Sequence, residues 1–159
     1  MASLGRRTGI AEIDDQLKHM FPGLRRGGYL ITSPEDARYN CIAWGAGDQG
    51  KWWEPHPQYF WPEGSPVEYT VAAYASVYSC RGYEECDSHT VEQGYEKVAV
   101  FANKEGVPTH AARQLATGYW TVKLGKFVDI EHALEDLEGE TYGRVTLVLR
   151  RGRTRSMSV

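Results

Sequence analysis

Two hydrophobic periods divide this chain, and their order constrains the fold more than any single residue does. In the last third, β-branched or alternating runs cover residues 96–103, 110–115, 119–124, 127–130 and 144–150. Alternation at period two marks a strand with one buried face, and glycine-containing turns between such runs mark strand connections. In the first half the spacing is three and four instead. Ile10, Ile13, Leu17 and Met20 form one stripe, and Val67, Val71, Tyr74 and Tyr78 another. The first predicts a short helix over 10–20, ended by Pro22 and Gly23, and the second a helix over 66–78. Helices followed by a run of strands indicate an α+β fold, with N-terminal helices packed on a C-terminal antiparallel sheet.

Between these blocks, residues 29–32 form a short apolar run leading into Ser33-Pro34-Glu35-Asp36. Ser and Asp accept hydrogen bonds from free helix amides and Pro suits the first helical position, so this segment predicts a helix entry. A helix over 37–46 follows. Residues 45–66 carry Pro55, Pro57, Pro62 and Pro66 and read as irregular loop. Residues 79–94 are polar and turn-rich, and 133–137 predict one helical turn.

At 159 residues the chain fits one domain, expected over 1–150, with a basic, disordered tail over 151–159. Charged residues at 25% and hydrophobic ones at 42% are the ordinary balance of a soluble protein. The net charge of −3 argues against a general nucleic-acid binder, which needs a basic face. No apolar run approaches the ~18 residues of a membrane span. The first fifteen residues lack a signal-like apolar stretch. A cytoplasmic protein without a membrane partner is therefore expected, with delivery by a non-classical route left open. Three cysteines, an odd and low count, predict a reducing compartment and no disulfide scaffold.

Cys41, in Tyr39-Asn40-Cys41-Ile42-Ala43-Trp44, is the principal chemical candidate. A thiol in the first turn of a helix feels the positive end of the helix dipole, which lowers its pKa and prepares a nucleophile. Asn40 either caps that helix or donates to an oxyanion. His110 opens a predicted strand, where a general base for the thiol can stand. The loop 51–62 gathers Trp52, Trp53, Tyr59, Phe60 and Trp61, either a substrate wall or a cover for the core. Trp44, Trp53 and Trp61 are the aromatic candidates for substrate contact. Thr121 and Lys123 share one face of a predicted strand and are the polar ones. Cys80, Cys86 and His89 miss the usual spacing of zinc ligands, so no metal and no cofactor are expected.

The segments YNCIAWGAG, PTHAARQLATGYWTVKLGKFVDIEH and YGRV resemble an uncharacterised family of small bacterial domains, unevenly from about Tyr39 to Arg150. A Cys-bearing helix followed by a sheet carrying the His also resembles the papain-like cysteine peptidases and amidases, including the NlpC/P60 group. That resemblance implies Cys41 as nucleophile and His110 as general base. It implies a third, orienting residue on the strand after the His, for which His132 ranks before Asp129.

The expected function is thus a cysteine hydrolase, a peptidase or amidase attacking an amide carbonyl, with a peptide or peptidoglycan-like substrate. A toxin or effector role, with a protein partner or a cognate inhibitor, is compatible with such a domain. The alternative is a non-catalytic binding module on the same scaffold, with the aromatic loop as its contact surface.

Overall fold

The computed structural model describes residues 11–33, 38–48, 50–123 and 129–152. Among these, seven strands form one sheet: β1 (Leu30–Ser33), β2 (Glu84–Glu85), β3 (Tyr95–Ala102), β4 (Pro108–Gln114), β5 (Trp120–Lys123), β6 (Asp129–His132) and β7 (Arg144–Gly152). Their order is β1-β6-β5-β4-β3-β7-β2, and every pairing is antiparallel. The helices are α1 (Ala11–Met20), α2 (Leu24–Gly27), α3 (Cys41–Gly45) and α4 (Val71–Ser79), with a 3-10 turn at Leu134–Leu137. The fold is α+β. No described helix is long and apolar enough to cross a membrane.

The central strands follow from their side chains. Val98, Ala99, Val100 and Phe101 of β3 are all fully buried, because both sheet faces are covered. Ala99, Phe101, Ala112, Trp120, Val122 and Ile130 pack beneath Leu17, Phe21, Leu24 and Tyr29. Val98, Val100, Ala111 and Leu149 pack on the opposite side, against Ile42, Tyr74, Val77 and Tyr78. Each such fully buried aliphatic or aromatic side chain stabilises the fold by roughly 1.5–3 kcal/mol. The helices thus sandwich the sheet rather than covering one face of it. The β3–β4 hairpin is closed by Asn103, whose side-chain oxygen accepts from the backbone N–H of Glu105 and of Val107. This is the usual way in which Asn makes a turn.

The elements depart from the sequence expectations in several places. The helix expected over 37–46 is only Cys41–Gly45, because Asn40 caps it there. The 29–32 run is an edge strand, β1, with Leu30 opposite Glu131. β2 pairs Glu84 with Arg150, and two exposed glutamates give no hydrophobic period to read. The 66–78 helix begins only at Val71, because the Thr70 side chain accepts from the Ala73 N–H and caps it there. β7 runs to Gly152, so Arg151 and Gly152 are strand residues and not the start of a tail. Arg150 meets Glu84 and Glu92, and Arg151 meets Glu96. The expected helix entry at 34–36 and the remaining tail, 153–159, lie outside the described residues.

Candidate functional site

The site is built from α3 outward. Asn40 is the N-cap of this helix, its Oδ1 accepting from the Ala43 N–H at 3.2 Å. The same oxygen accepts from the Trp53 N–H at 3.1 Å, and Nδ2 donates to the Trp53 carbonyl at 2.6 Å. One buried amide therefore caps the helix and clamps the aromatic loop to it. At the other end of α3, a Cβ on Gly45 would stand 2.8 Å from the Tyr78 hydroxyl. The missing side chain lets that hydroxyl donate to the Ile42 carbonyl at 2.9 Å. Cys41 lies in the first turn of α3, 9% exposed.

Cys41 and His110 line the same cavity, of about 310 Å³, together with Asn40, Trp53, Glu54 and Tyr142. It opens where β4 begins, at Pro108, Thr109 and His110. Ala111 belongs to the core under α3. His110, its neighbour, alternates to the other face, where it meets Phe101 edge-on with centroids 5.6 Å apart. The cavity thus draws on both faces at the strand end. Tyr142 stacks on the His110 ring. Its carbonyl accepts a hydrogen bond from the Thr109 hydroxyl. Gly143, at φ 80°, holds this turn close to β3, since a Cβ there would lie 2.0 Å from the Ala102 carbonyl oxygen. Only glycine fits.

The electrostatics differ from the sequence expectation of a depressed thiol. Burial pushes the Cys41 thiol up to about 11, against the backbone N–H groups of Ala111, Ile42 and Cys41, which favour the thiolate. The charge of Glu54 adds to the upward push. Burial, followed by the charge of His132, holds the His110 imidazole well below its ordinary range. The resting site therefore pairs a protonated thiol with a neutral imidazole. His110 Nε2 is buried and has no hydrogen-bond partner among the described residues.

The other expected site residues are distributed unevenly. Trp53 lines the cavity; its indole donates to Asp48 and packs on Phe60. Trp44 lies under the Arg113 guanidinium and Trp61 against Tyr74, and neither lines the cavity. Thr121 is buried opposite Arg113, three residues along β4 from His110. Lys123 and Asp129 pair with each other through the backbone of β5 and β6. His132 is buried beside Trp120, and its Nδ1 lies 2.7 Å from the Ala133 carbonyl oxygen. It does not line the cavity. Cys80 and Cys86 are unbridged, and no metal-binding group of His, Cys, Asp or Glu occurs among the described residues.

Several lining residues escaped the sequence reading, Glu54, Tyr69, Thr109 and Tyr142 among them. Glu54 stands in the aromatic loop, where its oxygens accept from the Trp52 indole at 3.0 Å and the Tyr69 hydroxyl at 2.6 Å. The lone carboxylate inside KWWEPHPQYFWP was its available signal. Tyr142 was visible as the Tyr of YGRV, just before the last strand.

Compared with known proteins, residues 30–150 match the family described as a domain of unknown function (DUF7689). No curated protein and no solved structure matches the chain.

Proposed function

The chain belongs to the DUF7689 family, and from that premise we propose that it is a cysteine hydrolase of papain-like type, cleaving amides or esters through Cys41. The carrying observation is that Cys41 and His110 line one cavity, where the backbone N–H groups of Ala111, Ile42 and Cys41 favour the thiolate. A neutral imidazole is the form that accepts a proton. In the proposed reaction His110 takes the Cys41 proton as sulfur attacks the carbonyl carbon, and the carbonyl oxygen becomes an oxyanion. Backbone amides at the start of α3 and at Ala111 supply its donors. The oxyanion collapses to a thioester as the C–N or C–O bond breaks, and the imidazolium protonates the leaving amine or alkoxide. Water, deprotonated by His110, then releases the acid and restores the thiol. Asn40 serves as clamp, because its amide is occupied by Trp53 and Ala43.

No hydrogen bond joins the thiol to the imidazole among the described residues of the resting chain; such bonds commonly tighten only with substrate. His110 is oriented by the Tyr142 stack and the Phe101 edge, the place a third polar residue takes in other sites. The second reading, a binding module, draws support from the 44% exposure of both Tyr59 and Tyr69 on and beside the aromatic loop. The test is p-nitrophenyl acetate at pH 7. A stoichiometric burst of nitrophenol with one acetyl group on Cys41 supports the hydrolase, and the same burst in Cys41→Ala refutes it.

A further inference from the structure

The charge pattern of the cavity points to its substrate. Rings of Trp52, Tyr69 and Tyr74 line it, and among the described residues the single acid is Glu54 and no Lys or Arg is present. The nearby cations are engaged elsewhere: Lys51 sits over Phe60, Arg81 over Trp53 and Arg113 over Trp44. Glu54 is held in place by the two hydrogen bonds it accepts from Trp52 and Tyr69. Both donors are neutral, and no cation pairs with Glu54 among the described residues. A carboxylate has about four acceptor positions, so two remain for a ligand. An anion beside aromatic rings in one cavity suits an ammonium or guanidinium.

Resting on the thiol-hydrolase reading for the site, we propose that the cavity selects a cationic acyl group, a lysine- or arginine-like residue whose carbonyl is presented to Cys41 and whose positive end is held by Glu54 within the Trp52–Tyr69–Tyr74 rings. The volume of about 310 Å³ is at the small end for ligand pockets and suits one side chain with its scissile bond. An acidic residue would meet Glu54 as a like charge and is rejected.

The test compares chloromethyl ketones of acetyl-lysine, acetyl-norleucine and acetyl-glutamate, with alkylation of Cys41 followed by intact mass. Lysine is expected to react faster than norleucine by about tenfold, the scale of one desolvated cation–π contact, and glutamate slowest. Added salt slows the lysine probe alone, and Glu54→Gln brings lysine and norleucine to about the same rate. The salt series keeps the test independent of any variant's folding. In parallel, tryptophan fluorescence of Cys41→Ser is titrated with N-acetyl-lysine amide and N-acetyl-norleucine amide. Lysine-selective binding without alkylation rejects the nucleophile and keeps the cation pocket. Alkylation without a charge preference rejects the pocket and keeps the nucleophile. No lysine preference in either measurement overturns the proposal.

Discussion

Tyr142 lies flat against His110, with ring centroids 3.9 Å apart and planes 7° from parallel. The tyrosine is half-buried against the core, and desolvation, with the charge of Cys41, raises its phenol far above the ordinary range. It acts as a neutral surface that fixes the imidazole. Tyr142→Ala is expected to destabilise the fold by less than the about 3–5 kcal/mol of a fully buried aromatic truncation, because the ring is half-buried. Tyr142→Phe keeps the stack and most of that stability. Urea unfolding measures both, and equal losses in the two variants would contradict the stacking role.

The Asn40 clamp makes a second prediction. Asn40→Ala removes a helix cap, worth about 1 kcal/mol, and leaves the Trp53 N–H and carbonyl without their partner, at about 1–3 kcal/mol. Asn40→Asp keeps both accepted bonds but sets a buried carboxylate oxygen against the Trp53 carbonyl, where Nδ2 donates in the wild type. Denaturant midpoints of both variants fall below the wild type. The aromatic-loop signal in near-ultraviolet circular dichroism weakens in both.

How much of this was legible in the sequence follows from where each residue stands. Strands β3 to β7 announced themselves because their β-branched runs are long or separated by glycine turns. β1 did not, since Leu30, Ile31 and Ser33 pair with Asp129–Glu131, about a hundred positions away. Cys41 and His110 stand out in the sequence because a capped helix start and a place near a strand start are positional signatures, and both line the cavity. Thr121 was expected nearby because it lies on the next strand. Its ladder partner is Arg113, and three residues along a strand is about 10 Å from His110. Glu54 and Tyr142 lie on irregular segments, where no period tells which way a side chain faces.

Acid stability is a third prediction. Burial lowers His132 from 6.5 to about 4 and lowers His110 as well. Between pH 6.5 and 4 the unfolded chain binds more protons than the folded one, so stability falls as pH falls through that window. His132 alone accounts for on the order of 3 kcal/mol. Urea midpoints at pH 7.5, 5.5 and 4.5 decline steeply in wild type. They decline less in His132→Asn, whose side chain does not titrate.

At alkaline pH the sign reverses for Cys41. Its folded value of about 11 lies above the reference 9.0, so the folded chain holds the proton longer and stability falls as pH rises from 9 to 11. Cys41→Ser does not titrate there and loses less between pH 8.5 and 10.5, as thermal midpoints will show.

The central claim is that His110 serves Cys41 as its base. The direct measurement is the rate of Cys41 acetylation by p-nitrophenyl acetate at pH 7 in wild type and in His110→Gln, with folding checked by circular dichroism. General-base catalysis predicts that the variant is slower by about 10²–10⁴-fold, with the remaining label no longer favouring Cys41 over the exposed Cys80. Equal acetylation of Cys41 in the two proteins would contradict it.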